Sequence, residues 1–410
     1  MLPLSFLRTH GLLIAFGAFM CFASSFGQTF FISLFGGQIR DSFGLSHGEF
    51  GTVYATGTML SAATLIWAGR LIDRMKLAHF AVGVLLGLAA MSLLMGAAWS
   101  IPALGAAIYG LRLFGQGLAS HTGITAMARY FEAERGRAIG IASLGHPVGE
   151  FMLPFLVVAA FSVIGWRTLW TGTGIALFLV TPLAFLLLRG HGARDLALRE
   201  RLRTEGAGKD DKTLGGVLRD LGFWLRIPAL LAPSFIFTGL IFHQVHLAET
   251  KGWPLELMAG SFSLFAIVSV VTMIATGPVV DRLSASRLLP VFLAPLALAC
   301  LLLFATDSQL AAPAFMALLG LNTGVSFVLK GALWAELYGT SHLGAIRSFD
   351  QAIMVFSTGL APAAMGLLID GGISMEAIAL AAAIWCVGAS ILAAFAGRPA
   401  RQIATGTAGD

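Results

Sequence analysis

Gly69-Arg70-Leu71-Ile72-Asp73-Arg74 returns later in the chain as Gly277-Pro278-Val279-Val280-Asp281-Arg282. The two leading glycines stand 208 residues apart (277 minus 69) in a chain of 410. Each copy follows one long apolar segment and precedes another. A repeat of half the chain length, with its hexamers in the same short loop of each half, points to two fused, similar membrane domains.

Working outward from those loops, the rest of the chain reads the same way. It is 57% hydrophobic and 11% charged, with a mean hydropathy of +0.84, more apolar surface than one soluble core can hide. The apolar residues fall into twelve runs: 11–36, 48–69, 78–98, 101–130, 137–163, 167–189, 227–248, 256–280, 288–306, 310–337, 345–369 and 375–397. Runs of roughly 20 residues are what a helix needs to cross about 30 Å of hydrocarbon. They are continuous rather than alternating, which argues against strands, and lipid does not tolerate open sheet edges. The fold expected is an all-α membrane protein of twelve transmembrane helices in two pseudo-symmetric six-helix halves. Residues 1–189 form the first half, 190–226 a cytoplasmic linker, 227–398 the second half and 399–410 a cytoplasmic tail. The linker carries both charge signs and several glycines, and part of it reads as an amphipathic helix lying on the membrane surface.

The basic residues orient the chain. With the N-terminus in the cytoplasm, most of the 26 Lys and Arg lie on that side; Arg40, Arg167 and Lys251 fall outside, and Arg112 and Lys330 within runs. This is a strong positive-inside bias. The net charge of +5 therefore reports topology and lipid headgroups rather than nucleic acid. Cys21, Cys300 and Cys386 all lie in apolar runs with no metal or redox spacing. The first run is too long for a cleavable signal. Arginine far outnumbers lysine and Asn322 is the sole asparagine, a bias that suggests a GC-rich bacterial gene and hence a cell inner membrane.

The pattern Gly-x-x-x-Asp-Arg between the second and third runs, and again between the eighth and ninth, resembles the signature loop of the major facilitator superfamily. The resemblance covers essentially the whole chain. Gly117 matches Gly324 at nearly the same offset, and Arg135-Gly136-Arg137 matches His342-Leu343-Gly344. The first copy lacks the glycine the family usually has after the Arg, and the second is less basic than usual. The resemblance implies alternating access, with Gly69, Asp73, Arg74, Gly277, Asp281 and Arg282 as a gating motif on the cytoplasmic rim. An acid there can pair with an Arg or with the positive N-terminus of a neighbouring helix, and a glycine such as Gly69 lets two helices approach closely. A solvated loop that only sets topology is the plainer reading of the same residues.

Ionisable groups inside a membrane span are expensive and usually functional. Arg112 lies in the fourth run, and at 100° per residue it shares a face with Gln116, Ser120 and Gly123. The resemblance implies that this run lines a central cavity. His121 is on the opposite side and reads as a packing residue. Glu150 lies at similar depth in the fifth run, with Ser143 and His146 on its face. Low dielectric favours the neutral form of a carboxyl and a nearby guanidinium the charged form, so Glu150 and Arg112 together could toggle a proton; a static ion pair is the alternative. Lys330 in the tenth run shares a face with Thr323, Ser326 and Trp334, and Asp350 in the eleventh either pairs with Lys330 or leaves it facing the cavity.

One cation from each half, Arg112 and Lys330, suits an organic anion, above all a carboxylate. The substrate-binding set expected is Arg112, Gln116, Gln28, Lys330, Asn322 and Trp334; the proton-coupling set is Glu150, His146 and Asp350. His243, Gln244 and His246 near the outer end of the seventh run form either a proton relay or an ordinary interfacial cluster, and no third ligand makes them a metal site. No phosphate-binding loop and no catalytic constellation is present. The expected protein is therefore a monomeric secondary transporter, not an enzyme, with no cofactor, whose partners are a small-molecule substrate, protons and the lipid bilayer. A carrier of a neutral or aromatic solute such as a vitamin, or a drug or metabolite exporter, is the alternative.

Overall fold

The computed structural model describes residues 4–69, 71–131, 135–161, 163–190, 214–338 and 343–396. Among these residues there are helices and turns and no strand. Among the described residues nine helices are long and apolar enough to cross a membrane, and the shorter Ala294–Ala305 is apolar as well. Helical segments cover each of the twelve predicted runs. Span 2 is His47–Ala68, span 3 Leu77–Ala97, span 8 Leu255–Leu283, span 10 Ala311–Tyr338, span 11 Leu343–Asp370 and span 12 Met375–Phe395. The predicted linker helix and the C-terminal tail lie largely outside the described residues.

Several spans are not simple rods. Span 1 runs as Leu4–Ala23, tightens into a 3-10 turn at Ser24–Gly27 and continues as Thr29–Leu34. Span 4 begins as Ile101–Gly110, widens into a π-helix over Leu111–Ala119 and ends as Ser120–Tyr130. Span 5 is Arg135–Ser143 followed by Gly145–Phe161, span 6 is Trp166–Val180 with Leu183–Leu187. Span 7 starts at Leu221, earlier than the predicted 227, and breaks at His243 before a short helix Gln244–Lys251.

That last break reproduces one in the first half. Phe35 interrupts span 1 in the same backbone conformation as His243, and a short helix Gly36–Phe43 follows. Both short helices end at a glycine in the left-handed region, Gly44 at φ 64° and Gly252 at φ 63°, where any side chain would be strained. Span 2 then starts at His47 and span 8 at Leu255. Phe35 and His243, Gly44 and Gly252, and His47 and Leu255 are each separated by the offset of the repeated hexamer, so the connection after the first span of each half breaks, caps and restarts at equivalent positions.

Close helix approach depends on other glycines than those of the hexamer. A Cβ on Gly324 would meet the Ser269 carbonyl oxygen at 2.5 Å, and one on Gly320 the Phe265 oxygen at 2.6 Å, which is how span 10 lies on span 8. At Gly277 a Cβ would meet nothing within 4 Å, and at Gly69 its one tight contact would be the Leu65 carbonyl oxygen of the same span at 2.9 Å, with the His121 imidazole of the neighbouring span at an ordinary 3.6 Å. The tight-packing role expected of the hexamer glycine therefore does not hold, while His121 does pack at a helix interface. The side chains of Asp73, Arg74 and Asp281 lie outside the described residues; Arg282 is exposed.

The end of the bundle opposite Leu4 and Phe395 is closed by contacts between halves. Span 2 packs on span 11 and span 5 on span 8. Asp370 at the end of span 11 accepts from the Ser46 hydroxyl (2.7 Å) and from the backbone N–H of His47 (3.1 Å) and Gly48 (2.7 Å), adding to the Ser46–Glu49 capping box at the start of span 2. Gln244 donates to Ser33 Oγ (2.8 Å) and to the Phe30 carbonyl (3.1 Å). Away from the seam, spans from both halves border a cavity.

Candidate functional site

This cavity has a volume of about 530 Å³. Span 7 contributes Pro233, Ser234, Phe237 and Thr238, span 8 Phe265, span 10 Asn322, Thr323, Ser326 and Lys330, and span 11 Asp350, Gln351, Met354 and Thr358. From the first half Glu150 of span 5 enters the lining. A hydroxyl- and amide-bearing wall thus stands beside aromatic surface, and the lining includes a carboxyl from one half and an ammonium from the other.

Span 5 is held so that Glu150 turns this way. Gly145 lies against the Ala18 carbonyl oxygen and Gly149 against Ser25 Oγ, each so closely that a Cβ would have no room. One turn apart, they form a flat stripe that seats span 5 on span 1. His146, between them, closes the same contact. Its Nδ1 lies 3.1 Å from the Cys21 carbonyl, which can only accept, so Nδ1 carries the proton. Nε2 then accepts from the Ser120 hydroxyl at 3.2 Å. His146 thereby ties spans 1, 4 and 5 together outside the cavity. The Gly145-His146-Pro147-Val148-Gly149 stretch positions Glu150 rather than extending the cavity.

In the second half, Lys330 is half-buried and its Nζ lies 3.8 Å from Met354 Sδ. Asp350 is near enough to act on the charge of Lys330. Asn322 is buried with its amide N–H donating to the Phe292 carbonyl (2.9 Å), which fixes the orientation of its side chain at the wall.

The other residues predicted for the site lie elsewhere. Arg112 is fully buried within the first half. Its Nη1 donates to the Gly27 carbonyl (3.2 Å) and Thr29 Oγ1 (3.4 Å), and its guanidinium sits 5.2 Å from the centroid of the Tyr54 ring. Thr29 and Tyr54 share a hydrogen bond of 2.8 Å. Among the described residues no carboxylate pairs with Arg112; carbonyl, hydroxyl and aromatic face take that place. The expected Arg112–Glu150 ion pair is thus not formed, and the two cations Arg112 and Lys330 do not share the cavity. Gln28 and Gln116 also lie outside its lining. Trp334 belongs to the core of the second half, its ring 5.1 Å from that of Phe223 and stacked on Tyr338 at 5.9 Å.

A second cavity, of about 460 Å³, lies between spans 7, 11 and 12, but Ser357 is the one polar side chain in its lining. At the end of span 10, Glu336 accepts from the backbone N–H of Ala285 (2.7 Å) just beyond the second hexamer. Sequence reasoning missed it because its partner is a backbone group some fifty residues away.

Comparison with known proteins agrees with this architecture. Two crystal structures of a bacterial homologue of the human lysosomal transporter Spinster superpose on the chain. The inward-facing, unoccupied form is 15% identical with a TM-score of 0.69, over 94% of this chain and 96% of that one. The inward-facing, occupied form is 17% identical with a TM-score of 0.70, over 95% and 97%. At such identity the likeness speaks for the fold. No curated protein matches the sequence significantly. The family model described as Major Facilitator Superfamily matches residues 17–312, well over half of the chain. The chain belongs to the Major Facilitator Superfamily, as a multi-pass membrane transporter rather than an enzyme.

Proposed function

We propose that the chain moves a small, partly apolar organic anion across a bacterial inner membrane by alternating access, and that a proton on Glu150 is coupled to that movement. The observation that carries this reading is the single cavity into which the first half places Glu150 and the second half Lys330 and Asp350. In this reading the Lys330 ammonium takes the carboxylate of the solute, displacing Asp350, while Asn322 and Ser326 bind its polar edge and Phe237 and Phe265 its apolar body. Glu150 exchanges its proton as the cavity is alternately hydrated and closed, because a carboxyl is neutral in dry surroundings and charged in wet ones. Asp73 and Asp281 act as latches at the cytoplasmic rim, with both termini on that side, and the sealed seam faces outward. Arg112 and Gln116 approach the solute in states where the π-helical segment of span 4 changes register.

A neutral or aromatic solute is the second reading. It is favoured by the stacked Phe237–Phe265 pair, with centroids 5.4 Å apart, and by the withdrawal of Arg112 from the cavity.

Thermal stabilisation of the purified protein by a panel of carboxylates and their neutral amides separates the two. The first reading expects stabilisation by a carboxylate, not by its amide, and loss of the effect in Lys330→Gln. Equal stabilisation by acid and amide, retained in Lys330→Gln, supports the second and overturns the first.

A further inference from the structure

Three histidines meet in the sealed seam, away from the cavity. His47 opens span 2 in the first half; in the second, His243 is the break after span 7 and His246 lies in the short helix that follows it. The His47 ring lies 4.3 Å from that of His246 and 5.6 Å from that of His243, centroid to centroid. With Arg40 they line a small recess between the halves. His243 Nε2 donates to the Pro362 carbonyl at 3.0 Å, which leaves Nδ1 free to take a second proton.

Charges facing this recess come from every neighbouring element. The helix Gly36–Phe43 brings Arg40, the helix Gln244–Lys251 brings Glu249, span 11 brings Asp370 and span 12 brings Glu376. The carboxylates are largely committed elsewhere. Asp370 holds the Ser46 hydroxyl and two backbone N–H groups, Glu376 is ion-paired with Lys251, and Glu49 at the start of span 2 serves the capping box. Glu249 is exposed. Glu249 still favours a proton on His246, but Arg40 acts against a proton on each of the three rings, and His246 acts against one on His47 and on His243.

We propose that this histidine cluster is a proton-operated release for the seam. Neutral imidazoles let His47 lie against His246 and His243; protonated, they place like charges on opposite sides of the boundary between the halves and drive it open. Histidine is the side chain whose charge changes in the range an outer compartment traverses, and the rings sit where the two halves touch. The proposal concerns the seam alone and does not depend on what the cavity carries.

The test uses the full-length protein in lipid nanodiscs. Asp41 and Thr250 are exposed on the two short helices either side of the seam, and the three native cysteines are buried, so Asp41→Cys with Thr250→Cys accepts a selective pair of spin labels. Lowering the pH from about 8 to about 5 should raise the long-distance population several-fold, and equally so in Glu150→Gln. His47→Gln with His246→Gln should remove most of that rise while leaving the thermal midpoint at neutral pH unchanged. Arg40→Gln, which takes away a neighbouring charge without touching the rings, should shrink the response. A distance distribution that ignores pH in the labelled native protein, or a full response in the double-glutamine variant, overturns the proposal, as does a response abolished by Glu150→Gln alone.

Discussion

Ser33 donates its hydroxyl to the Ile241 carbonyl at 2.9 Å, and the two residues are 208 positions apart. That is the offset of the repeated hexamer, so each is the counterpart of the other in its own half. Two equivalent positions touch where a twofold axis passes between the repeats. The contact therefore marks where the pseudo-twofold axis relating the two halves passes, and Gln244, which bonds the same hydroxyl, lies one turn beyond it. Around this point the seam is made of backbone as much as side chain.

Gly51 shows how little room the seam leaves. A Cβ there would meet the Pro362 carbonyl oxygen at 2.5 Å, a backbone atom that cannot move aside. Gly51→Ala should destabilise the closed seam by about 1–3 kcal/mol, the range for overpacking a tight contact. Thr58 faces the same seam and is buried. A cysteine at Thr58 should react faster with a membrane-impermeant thiol reagent when Gly51 is alanine; equal rates would show that the seam relaxes around the methyl.

Ser284 is the one non-glycine among the described residues with a positive φ, 71°, two residues beyond the second hexamer. Such a conformation costs a residue with a Cβ about 1–3 kcal/mol, and glycine adopts it freely. Ser284→Gly should raise the thermal midpoint, less its own entropic cost in the unfolded chain. The Ser286 hydroxyl bond to Glu336 remains in place in this variant.

Lys251 is buried between Asp307 (2.6 Å) and Glu376 (2.8 Å) and ties three connections of the second half together. Burial on its own would lower its pKa, but the two carboxylates outweigh burial and hold the ammonium above its usual value. A raised folded-state pKa gives stability that is complete below the unfolded value, about 10.4, and is lost as pH rises through the folded value. Lys251→Met should therefore lower stability by about 2 kcal/mol at neutral pH, and the gap between native and variant should narrow only under strongly alkaline conditions. A gap that closes on acidification from neutral pH to about 6 would contradict the sign.

Much of this organisation is visible in the chain itself. The apolar runs set twelve spans because lipid demands continuous helices, and the hexamer announces the duplication. Glu150, Lys330, Asn322 and Asp350, selected as rare polar groups in apolar runs, do come together in one cavity. The failures share a cause. Arg112 was placed by an ideal helical wheel, but span 4 is π-helical over Leu111–Ala119, so 100° per residue does not apply, and the turn at Ser24–Gly27 brings the Gly27 carbonyl to meet the guanidinium. Trp334 shares the face of Lys330 on a wheel yet lies a full turn nearer the end of the bundle, where Phe223 covers it. Asp370, Ser46, Ser33 and Gln244 pair across the whole sequence, and no local pattern records such partners.

The central claim is that proton movement passes through Glu150. In proteoliposomes enclosing a pH-sensitive dye, organic anions from a panel of monocarboxylates are added outside without a pre-set gradient. The account predicts that at least one anion changes the internal pH through the native protein, and that Glu150→Gln abolishes this change while the same anion still exchanges across the membrane. An undiminished pH change in Glu150→Gln, or anion transport by the native protein with no movement of protons, would contradict it.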